Sequence, residues 1–383
     1  MKTVRLFDEN SYLAEFKATV LSCEEENGRY KVVLDRTAFF PEGGGQTADT
    51  GLIDGIEVLD CQEKDEVIYH FLSAPLTVGA EIQGEIDFAV RYKKMQIHSG
   101  EHIVSGVMHR TLGLSNVGFH LGSSEVTLDF DAVLTREQLN EVETKANEII
   151  YKNVPIVCYY PSEDELSELD YRSKKELNGD VRIVDIKGYD VCACCAPHVK
   201  NTGEVGIIKL THFEKNKNGT RITMLCATDA LYDYREKFRN VAAISALLCA
   251  KPDETAKAVE NLLNQNAELS REITDLKRTL SSLKADAVEK SDEPLIVFED
   301  GLTIADMRAF ANKVIEKRPS VYIFTPSAKG GYTYLCAGSQ MKAFLEKIKT
   351  LRGGGGGSDQ MIQGSVMATE NELKEFLATN IDK

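Results

Sequence analysis

Two short blocks of this sequence hold side chains of the kind that bind transition metals. His98 and His102 are four positions apart, so on a helix both imidazoles lie on one face and can share an ion. Cys194 and His198 repeat the same spacing further along the chain. Three imidazoles and one thiolate are a donor set suited to tetrahedral Zn²⁺. We therefore predict one zinc site built from both pairs.

The same blocks leave two alternatives open. Cys192 and Cys195 lie close enough to Cys194 to supply the thiolate in its place. The segment 98–102 also matches the inverted zinc-protease pattern, in which Glu101 is the general base. The protease hypothesis needs a downstream carboxylate as third ligand, and it leaves the second cysteine–histidine pair without a role.

The composition limits the class of protein that carries these residues. The chain has 383 residues, of which 43% are hydrophobic and 27% charged, with a formal net charge of −15. These values are typical of a globular protein with two or three domains. No apolar run approaches the roughly 18 residues of a membrane span, and the N-terminal segment lacks the apolar core of a signal peptide. We expect a cytoplasmic protein whose acidic balance gives little non-specific affinity for nucleic acid.

The hydrophobic patterns predict an α+β fold in four parts. We predict a small β-barrel over residues 1–85, an α+β zinc-binding domain over 86–248, a coiled-coil helix over 249–290 and a small α/β domain over 291–383.

Local signals place the chemical blocks on these elements. The barrel segment contains a loop with three consecutive glycines, which let the backbone approach another group closely. A helical period over residues 91–112 puts the paired histidines on a helix. Thr135 and Ser162 begin capping boxes, which predict two further helix starts.

The segment 259–283 repeats apolar residues in alternating steps of three and four, with leucine at each d position. Asn266 occupies an a position, where a buried asparagine favours a parallel dimer at some cost in stability. We predict a homodimer through this helix. The alternative is one long helix that packs on its own domain.

Together these residues resemble a known family, the long form of the AlaX proteins, which are free-standing relatives of the editing domain of alanyl-tRNA synthetase. The resemblance covers nearly the whole chain and is carried by three blocks in order, at 40–51, 95–102 and 194–206. The third block departs from the commoner family form, because Cys-Ala-Pro replaces Gly-Gly-Thr between the cysteine and the histidine. No segment resembles the aminoacylation domain, so we do not expect this chain to charge tRNA.

The resemblance implies a hydrolase that acts in trans on mischarged alanine tRNA, chiefly seryl-tRNA(Ala), with glycyl-tRNA(Ala) as a second candidate. It implies Zn²⁺ held by His98, His102, Cys194 and His198, and a catalytic role for Gln46 beside the first two histidines. Contacts with the substrate are implied for the glycine loop, at Gly43, Gly44, Gly45, Gln46 and Thr47. Four protein ligands describe a closed site, whereas a catalytic zinc keeps an open position, so the role of the ion stays open.

Contacts with tRNA phosphates should come from basic residues close to these blocks. We predict them for Arg91, Lys93, Lys94, Lys200, Lys215 and Lys217. Five glycines begin at Gly353, and composition alone favours a flexible linker there. The alternative is a nest of N–H groups for a phosphate at Gly353, Gly354 and Gly355. A further hypothesis is a non-catalytic tRNA-binding dimer scaffold in which zinc only stabilises the fold.

Overall fold

The computed structural model describes residues 2–122, 126–173 and 180–381. Helices and sheets are both extensive over this part of the chain, which confirms the predicted α+β class. The chain separates into two compact units, the first ending at Val241 and the second beginning at Ala242.

A closed β-barrel begins the first unit. Its segment contains β1 (Val4–Arg5), α1 (Leu6–Glu9), β2 (Glu15–Glu26), β3 (Arg29–Leu34), β4 (Arg36–Thr37), β5 (Gly51–Ile53), β6 (Ile56–Lys64), β7 (Val67–Leu72) and β8 (Glu81–Ile86). The barrel closes in the order β2, β3, β7, β6, β5, β8, with antiparallel neighbours. Residues of β8 alternate strictly between exposed and buried, as a strand in a small filled barrel must. The barrel lies in the segment for which the sequence predicted one.

A helix of 25 residues, α2 (Phe88–Leu112), follows the barrel. It begins at Asp87, whose carboxylate accepts a hydrogen bond of 3.1 Å from Val90 N, and it ends at Gly113 in the left-handed conformation. Every residue from 97 to 108 is buried, including the polar ones. The paired histidines therefore lie in the interior of the first unit.

Two antiparallel sheets contact α2. The elements of this region are β9 (Asn116–Leu121), β10 (Val126–Phe130), α3 (Arg136–Lys152), β11 (Ile156–Tyr159), α4 (Glu163–Glu168), β12 (Ile183–Ile186), β13 (Asp190–Ala193), β14 (Ile208–Asn216), β15 (Gly219–Cys226) and α5 (Ala227–Leu248). One sheet has the order β14, β15, β10, β9, and the other has the order β11, β12, β13. The predicted capping boxes are present, with Thr135 starting α3 and Ser162 starting α4.

The second unit is built on one mixed sheet. Its elements are α6 (Thr255–Ala287), β16 (Leu295–Phe298), α7 (Ile304–Val314), β17 (Val321–Pro326), β18 (Tyr332–Ala337), α8 (Met341–Ile348), β19 (Gly353–Gly357), β20 (Met361–Val366) and α9 (Glu370–Asn380). The strand order is β16, β17, β18, β20, β19, and β16 and β17 are parallel. Alternate residues of the central strands pack against α6 and α7 on one face and against α8 and α9 on the other.

The run of five glycines forms β19, an edge strand that pairs antiparallel with β20. Its residues from Gly354 onward are exposed. The flexible linker is therefore contradicted, because the backbone of all five residues is fixed by pairing with a neighbouring strand.

A long helix, α6, occupies the segment predicted as a coiled coil. The apolar side chains of the heptad seam are 40–62% exposed within the chain: Val259, Leu262, Leu269, Ile273, Leu276, Leu280 and Leu283. The homodimer through this seam stays a prediction. None of the described helices has both the length and the apolar character needed to cross a membrane.

Candidate metal centre

The structure brings the four predicted ligands together. One donor atom from each of His98, His102, Cys194 and His198 lies within 4.8 Å of all the others. The Cys194 Sγ atom is 3.5 Å from Nε2 of His98 and 3.5 Å from Nε2 of His198. All three histidines are 1–2% exposed, so the cluster is shielded from bulk water.

These distances fit one tetrahedral ion. A Zn–S bond of about 2.3 Å and a Zn–N bond of about 2.0–2.1 Å at the tetrahedral angle separate sulfur from nitrogen by about 3.5 Å. Both measured distances from Cys194 to a histidine nitrogen have this value. Burial raises the pKa of the Cys194 thiol, and metal coordination would offset that effect because it deprotonates the thiol. The donors present are therefore consistent with Zn²⁺.

Each histidine of the cluster has a partner on its second ring nitrogen. The Nδ1 contacts are His98 to Gln46 Oε1 at 3.0 Å, His102 to Asp190 Oδ2 at 3.1 Å and His198 to Ser99 Oγ at 3.0 Å. An acceptor at Nδ1 keeps the proton on that nitrogen and leaves the Nε2 lone pair for a metal. The three partners thus favour the ring tautomer that a shared ion requires.

The Asp190 carboxylate is suited to this task. Burial opposes its ionisation, but hydrogen bonds from His102 and Arg172 lower the pKa of Asp190 below its usual value. The group therefore accepts hydrogen bonds as a carboxylate in the interior of the unit.

Arg182 fixes the backbone of the second block. Its Nη1 donates to the carbonyl oxygens of Cys194 at 3.0 Å and Ala196 at 2.9 Å, and its Nε lies 3.3 Å from Asp8 Oδ1. Ala196 is fully buried. These contacts hold the Cys-Ala-Pro spacer in a closed loop, although it departs from the commoner Gly-Gly-Thr.

The predicted glycine loop is a tight turn. Gly43 and Gln46 pair through two N–H···O bonds of 3.0 Å, while Gly44 and Gly45 have φ values of +61° and +84°. Positive φ at both central positions is typical of a type I′ turn and favours glycine. A Cβ on Gly45 would lie only 2.6 Å from the carbonyl oxygen of Phe119. The turn therefore needs glycine both for its conformation and for its close approach to β9.

This turn lies beside the cluster. A Cβ on Gly44 would come within 4.0 Å of His98 Cε1. Gln46 is buried, and its Oε1 contacts His98 while its Nε2 has no hydrogen-bond partner among the described residues. Thr47 follows on the surface, where its side chain is exposed. The loop thus brings one buried amide donor to the edge of the metal cluster.

Two of the six predicted phosphate contacts are contradicted. Arg91 is 1% exposed and pairs with the Asp49 carboxylate inside the unit. Lys94 is 8% exposed, and its Nζ donates to the carbonyl oxygens of Thr47 at 3.3 Å and Ala48 at 2.5 Å. Both cations stabilise the glycine loop from inside, so neither is available to a phosphate.

The other four predicted phosphate contacts are exposed: Lys93, Lys200, Lys215 and Lys217. Lys93 Nζ pairs with an Asp229 carboxylate oxygen at 2.8 Å, and Lys200 Nζ lies 4.8 Å from the centre of the Tyr12 ring. Their ammonium groups can reach a nucleic acid, and their binding role stays a prediction.

The three clustered cysteines occupy different environments. Cys194 belongs to the four-residue cluster, whereas Cys192 forms a second group of potential ligands with His102 and Asp190. Cys195 is exposed and belongs to neither group among the described residues. Of the three, Cys194 is the cysteine whose sulfur is grouped with all three histidines.

The inverted protease pattern is not supported. Glu101 is fully buried, and its Oε1 accepts hydrogen bonds from Ser105 Oγ at 2.6 Å and Asn116 Nδ2 at 2.7 Å. The protease pattern requires a downstream carboxylate as third ligand. Among the described residues the downstream carboxylate of Asp190 is grouped with His102 but not with His98, and the donors that join both helix histidines are a thiol and an imidazole, from Cys194 and His198.

Sequence reasoning missed four residues that support the cluster: Ser99, Arg172, Arg182 and Asp190. The two-residue period of a strand is the signal that could have linked two of these positions, because a strand over residues 190–193 puts Asp190 and Cys192 on one face. Arg172 lies outside the helices and longer strands, so no period marks its role.

Comparison with protein families gives the class of this protein. The family model of the threonyl and alanyl tRNA synthetase second additional domain matches residues 181–223, which contain Cys194 and His198. The model of the class II (A) tRNA synthetases matches residues 4–90, which fold as the barrel. Fold and site therefore define a protein that carries the second additional domain of these synthetases.

Relatives extend the match to the whole chain. It is 30% identical to the alanyl-tRNA editing protein AlaX-L of Pyrococcus horikoshii over 96% of both chains. It is 28% identical to the alanyl-tRNA editing protein Aarsd1 of Rattus norvegicus over 97% of both chains. The alanine–tRNA ligase of Ignicoccus hospitalis is 31% identical over 73% of this chain but only 32% of its own length. The chain belongs to the alanyl-tRNA editing protein family.

Proposed function

We propose that this protein is a trans-acting aminoacyl-tRNA deacylase. Its substrate is mischarged alanine tRNA, chiefly seryl-tRNA(Ala), with glycyl-tRNA(Ala) as a second candidate. The observation that carries the proposal is the convergence of four donor atoms within 4.8 Å in a chain of the alanyl-tRNA editing family.

We assign the four ligands His98, His102, Cys194 and His198 to Zn²⁺. With all four ligands bound the ion would orient these groups, and with one of them released it would supply Lewis-acid polarisation of the ester carbonyl or a bound water of lowered pKa. The chain itself supplies three Nδ1 partners that orient the imidazoles and a buried environment that strengthens polar contacts. His98 and His102 contribute to catalysis as ligands on one rigid helix.

Gln46 is the residue best placed to select the substrate. Its Oε1 is engaged by His98, while its buried Nε2 has no partner among the described residues. A seryl hydroxyl or the terminal ribose would accept a hydrogen bond from this amide. Where the acceptor is the seryl hydroxyl, an alanyl ester would leave the donor unpaired, a penalty that can reach about 10⁴-fold in a site built to bond a hydroxyl. A contact with the ribose, which all these esters share, would bind the substrate without this selection. The backbone of Gly43, Gly44, Gly45 and Thr47 completes this edge of the site in the proposal.

The remaining contacts with tRNA are assigned to surface cations and exposed backbone. We propose that Lys93, Lys200, Lys215 and Lys217 contact phosphates. We propose the same for Gly353, Gly354 and Gly355 of the second unit. These residues belong to an edge strand, and as glycines they have no side chains to cover the backbone N–H groups. Binding through these groups should weaken markedly as salt concentration rises.

We propose that each predicted segment has a separate role. The barrel over 1–85 supplies the glycine loop, the domain over 86–248 holds the zinc, and the domain over 291–383 binds tRNA. The helix within 249–290 joins two chains through its exposed heptad seam. Because the substrate is a tRNA used in translation, we propose that the protein acts in the cytoplasm.

The test is release of serine from seryl-tRNA(Ala), measured beside alanyl-tRNA(Ala). The variant is His98→Ala, and its matched control is His109→Ala, the same change at an exposed position of the same helix. We expect fast serine release and slow alanine release by the natural protein, loss of both with His98→Ala and an unchanged rate with His109→Ala. Bound tRNA without release of either amino acid would contradict the proposal and leave the non-catalytic scaffold.

A further inference from the structure

The three histidines of the cluster have chemically different partners. His98 contacts an amide oxygen and His198 a hydroxyl, whereas the Nδ1 of His102 lies 3.1 Å from a carboxylate oxygen of Asp190. A carboxylate is the strongest acceptor of the three, because a hydrogen bond to a charged group is about twice as strong as one between neutral groups. His102 is therefore the ligand whose ring is held most firmly.

Arg172 holds the Asp190 carboxylate in turn. Its Nε donates to Oδ1 at 2.7 Å and its Nη2 to Oδ2 at 2.8 Å, which is a two-pronged guanidinium–carboxylate contact. Asp190 is 3% exposed, so this contact lies in an environment where electrostatic interactions are weakly screened. The carboxylate thus has a fixed position on its strand and a permanent counter-charge.

We propose that Asp190, held by Arg172, is the positioning residue of the metal site. It keeps the proton of His102 on Nδ1, fixes the plane of the ring and increases the electron-donating strength of Nε2 toward the ion. This inference rests on the proposed function, since it assumes that the four-residue cluster binds a metal.

One short strand, β13 (Asp190–Ala193), positions two parts of this arrangement. Asp190 lies at its first residue, and Cys194 follows directly after its last one. The same strand therefore sets the position of the thiolate and of the carboxylate behind a second ligand. A shift in its register would displace both.

A second metal site is the competing explanation, since His102, Asp190 and Cys192 also place potential ligand atoms within 4.8 Å of one another. Two observations oppose it. Both oxygens of Asp190 accept hydrogen bonds from Arg172, whose positive charge would repel a divalent cation at short range. An ion on Nδ1 of His102 would also displace the ring proton whose hydrogen bond the Asp190 carboxylate accepts.

The experiment compares two identical substitutions. Asp190→Asn removes the charge behind His102, and Asp129→Asn makes the same change in a more exposed guanidinium–carboxylate contact that includes no member of the cluster. Arg221 donates to the two oxygens of Asp129 at 2.8 Å and 2.7 Å, so the control matches the test site in geometry. The full-length protein is titrated with Zn²⁺ alone and with Co²⁺ alone against a chromophoric chelator, and its urea unfolding is recorded.

We expect Asp190→Asn to lower Zn²⁺ affinity about ten- to hundredfold and to change the visible absorption of bound Co²⁺. Asp129→Asn should leave both unchanged. Arg172→Lys should lower the affinity by a smaller factor, because an ammonium cannot reproduce the two-pronged contact. If Asp190→Asn fails to fold, the Arg172→Lys result decides.

The outcomes separate this inference from the function on which it rests. Natural protein that binds no Zn²⁺ overturns the proposed metal centre itself. Natural affinity and an unchanged Co²⁺ spectrum in Asp190→Asn overturn only the role of Asp190. Two ions per chain, one of which is lost in Asp190→Asn, overturn it in favour of a second site.

Discussion

The two glycine runs of this chain adopt opposite structures. Gly44 and Gly45 bend the first run into a turn with positive φ, pressed against the carbonyl of Phe119. The second run extends into β19 (Gly353–Gly357), which pairs with one neighbour and exposes its other edge. One run serves to bring backbone next to a buried cluster, and the other to leave backbone uncovered.

The difference lies in what surrounds each run. The first is fixed from inside by Lys94, which donates to two carbonyls of the loop, and by the Arg91–Asp49 pair. The second is fixed by pairing with β20 and by the Tyr334 hydroxyl, which donates to the Gly354 carbonyl at 3.4 Å. A glycine run therefore indicates a backbone that can adopt several conformations. The residues that contact the run determine whether it forms a turn or a strand.

Gly45→Ala should give the largest effect. The change adds a Cβ 2.6 Å from the Phe119 carbonyl oxygen at a φ of +84°. We expect a loss of about 4 kcal/mol in the free energy of unfolding and weaker Zn²⁺ binding, measured by urea unfolding and chelator competition. The control is Gly55→Ala, where φ is +78° but no atom lies within 4 Å, with an expected loss of about 1 kcal/mol. Equal losses at the two positions would show that close approach to Phe119 does not matter.

Gly355→Ala should come next, with its effect confined to the second unit. An added Cβ would lie 2.3 Å from the carbonyl oxygen of Gln363 and 2.7 Å from the hydroxyl of Tyr334. We expect faster hydrogen exchange in β19 and β20 and a local loss of about 3 kcal/mol, without a change in Zn²⁺ affinity. Weakened metal binding in this variant would contradict the conclusion that the second glycine run is independent of the metal cluster.

Acid should destabilise the region of the first run through His70. This residue is fully buried in the barrel, and burial lowers the pKa of His70 to about 4. Between pH 6.5 and pH 4 the unfolded chain takes up a proton that the folded chain refuses, so stability falls as pH falls through this window. The loss from His70 should reach about 2 kcal/mol at pH 5.

The acid test compares natural protein with His70→Gln, both free of metal, by urea unfolding followed with segment-resolved hydrogen exchange. The variant should lose less stability between pH 7 and pH 5 than the natural protein. All seven histidines of the chain precede residue 242, so this titration should leave the second unit unaffected. Parallel pH profiles of the two proteins would contradict the role of His70.

Gly356→Ala should have the smallest effect. A Cβ at this position meets no atom within 4 Å, and its backbone is extended. We expect a change within about 0.5 kcal/mol in unfolding. Affinity for tRNA in filter binding should also stay within a factor of two, since the proposed contacts are at Gly353, Gly354 and Gly355. A large loss of tRNA binding would extend the contact surface further along β19.

Local signals predicted much of the fold and the cluster. The caps at Thr135 and Ser162 are set by residues three positions apart, and α2 follows from its own period and its boundary at Gly113. Spacing likewise brought the two pairs of metal-binding residues to notice, because each pair lies within five residues.

The errors concern contacts between distant segments. A phosphate contact is predicted for Arg91 because it is basic and close to the paired histidines, but its partner Asp49 is 42 positions away and buried with it. Asp190 and His102 are 88 positions apart, so no local pattern connects them. The five glycines carry no side chains that could alternate, so the two-residue period of a strand is invisible in them.

The cluster has a consequence for how this chain acquires its metal during synthesis. His98 and Cys194 are 96 positions apart, so an emerging chain presents only two of the four proposed ligands until the second block has left the ribosome. A contact of such long range requires the closure of a large loop, which costs conformational entropy. An ion held by all four ligands is therefore acquired only after α2 and the segment that follows β13 have come together. Metal content would in this way be a record, in each copy of the protein, that these two segments have met.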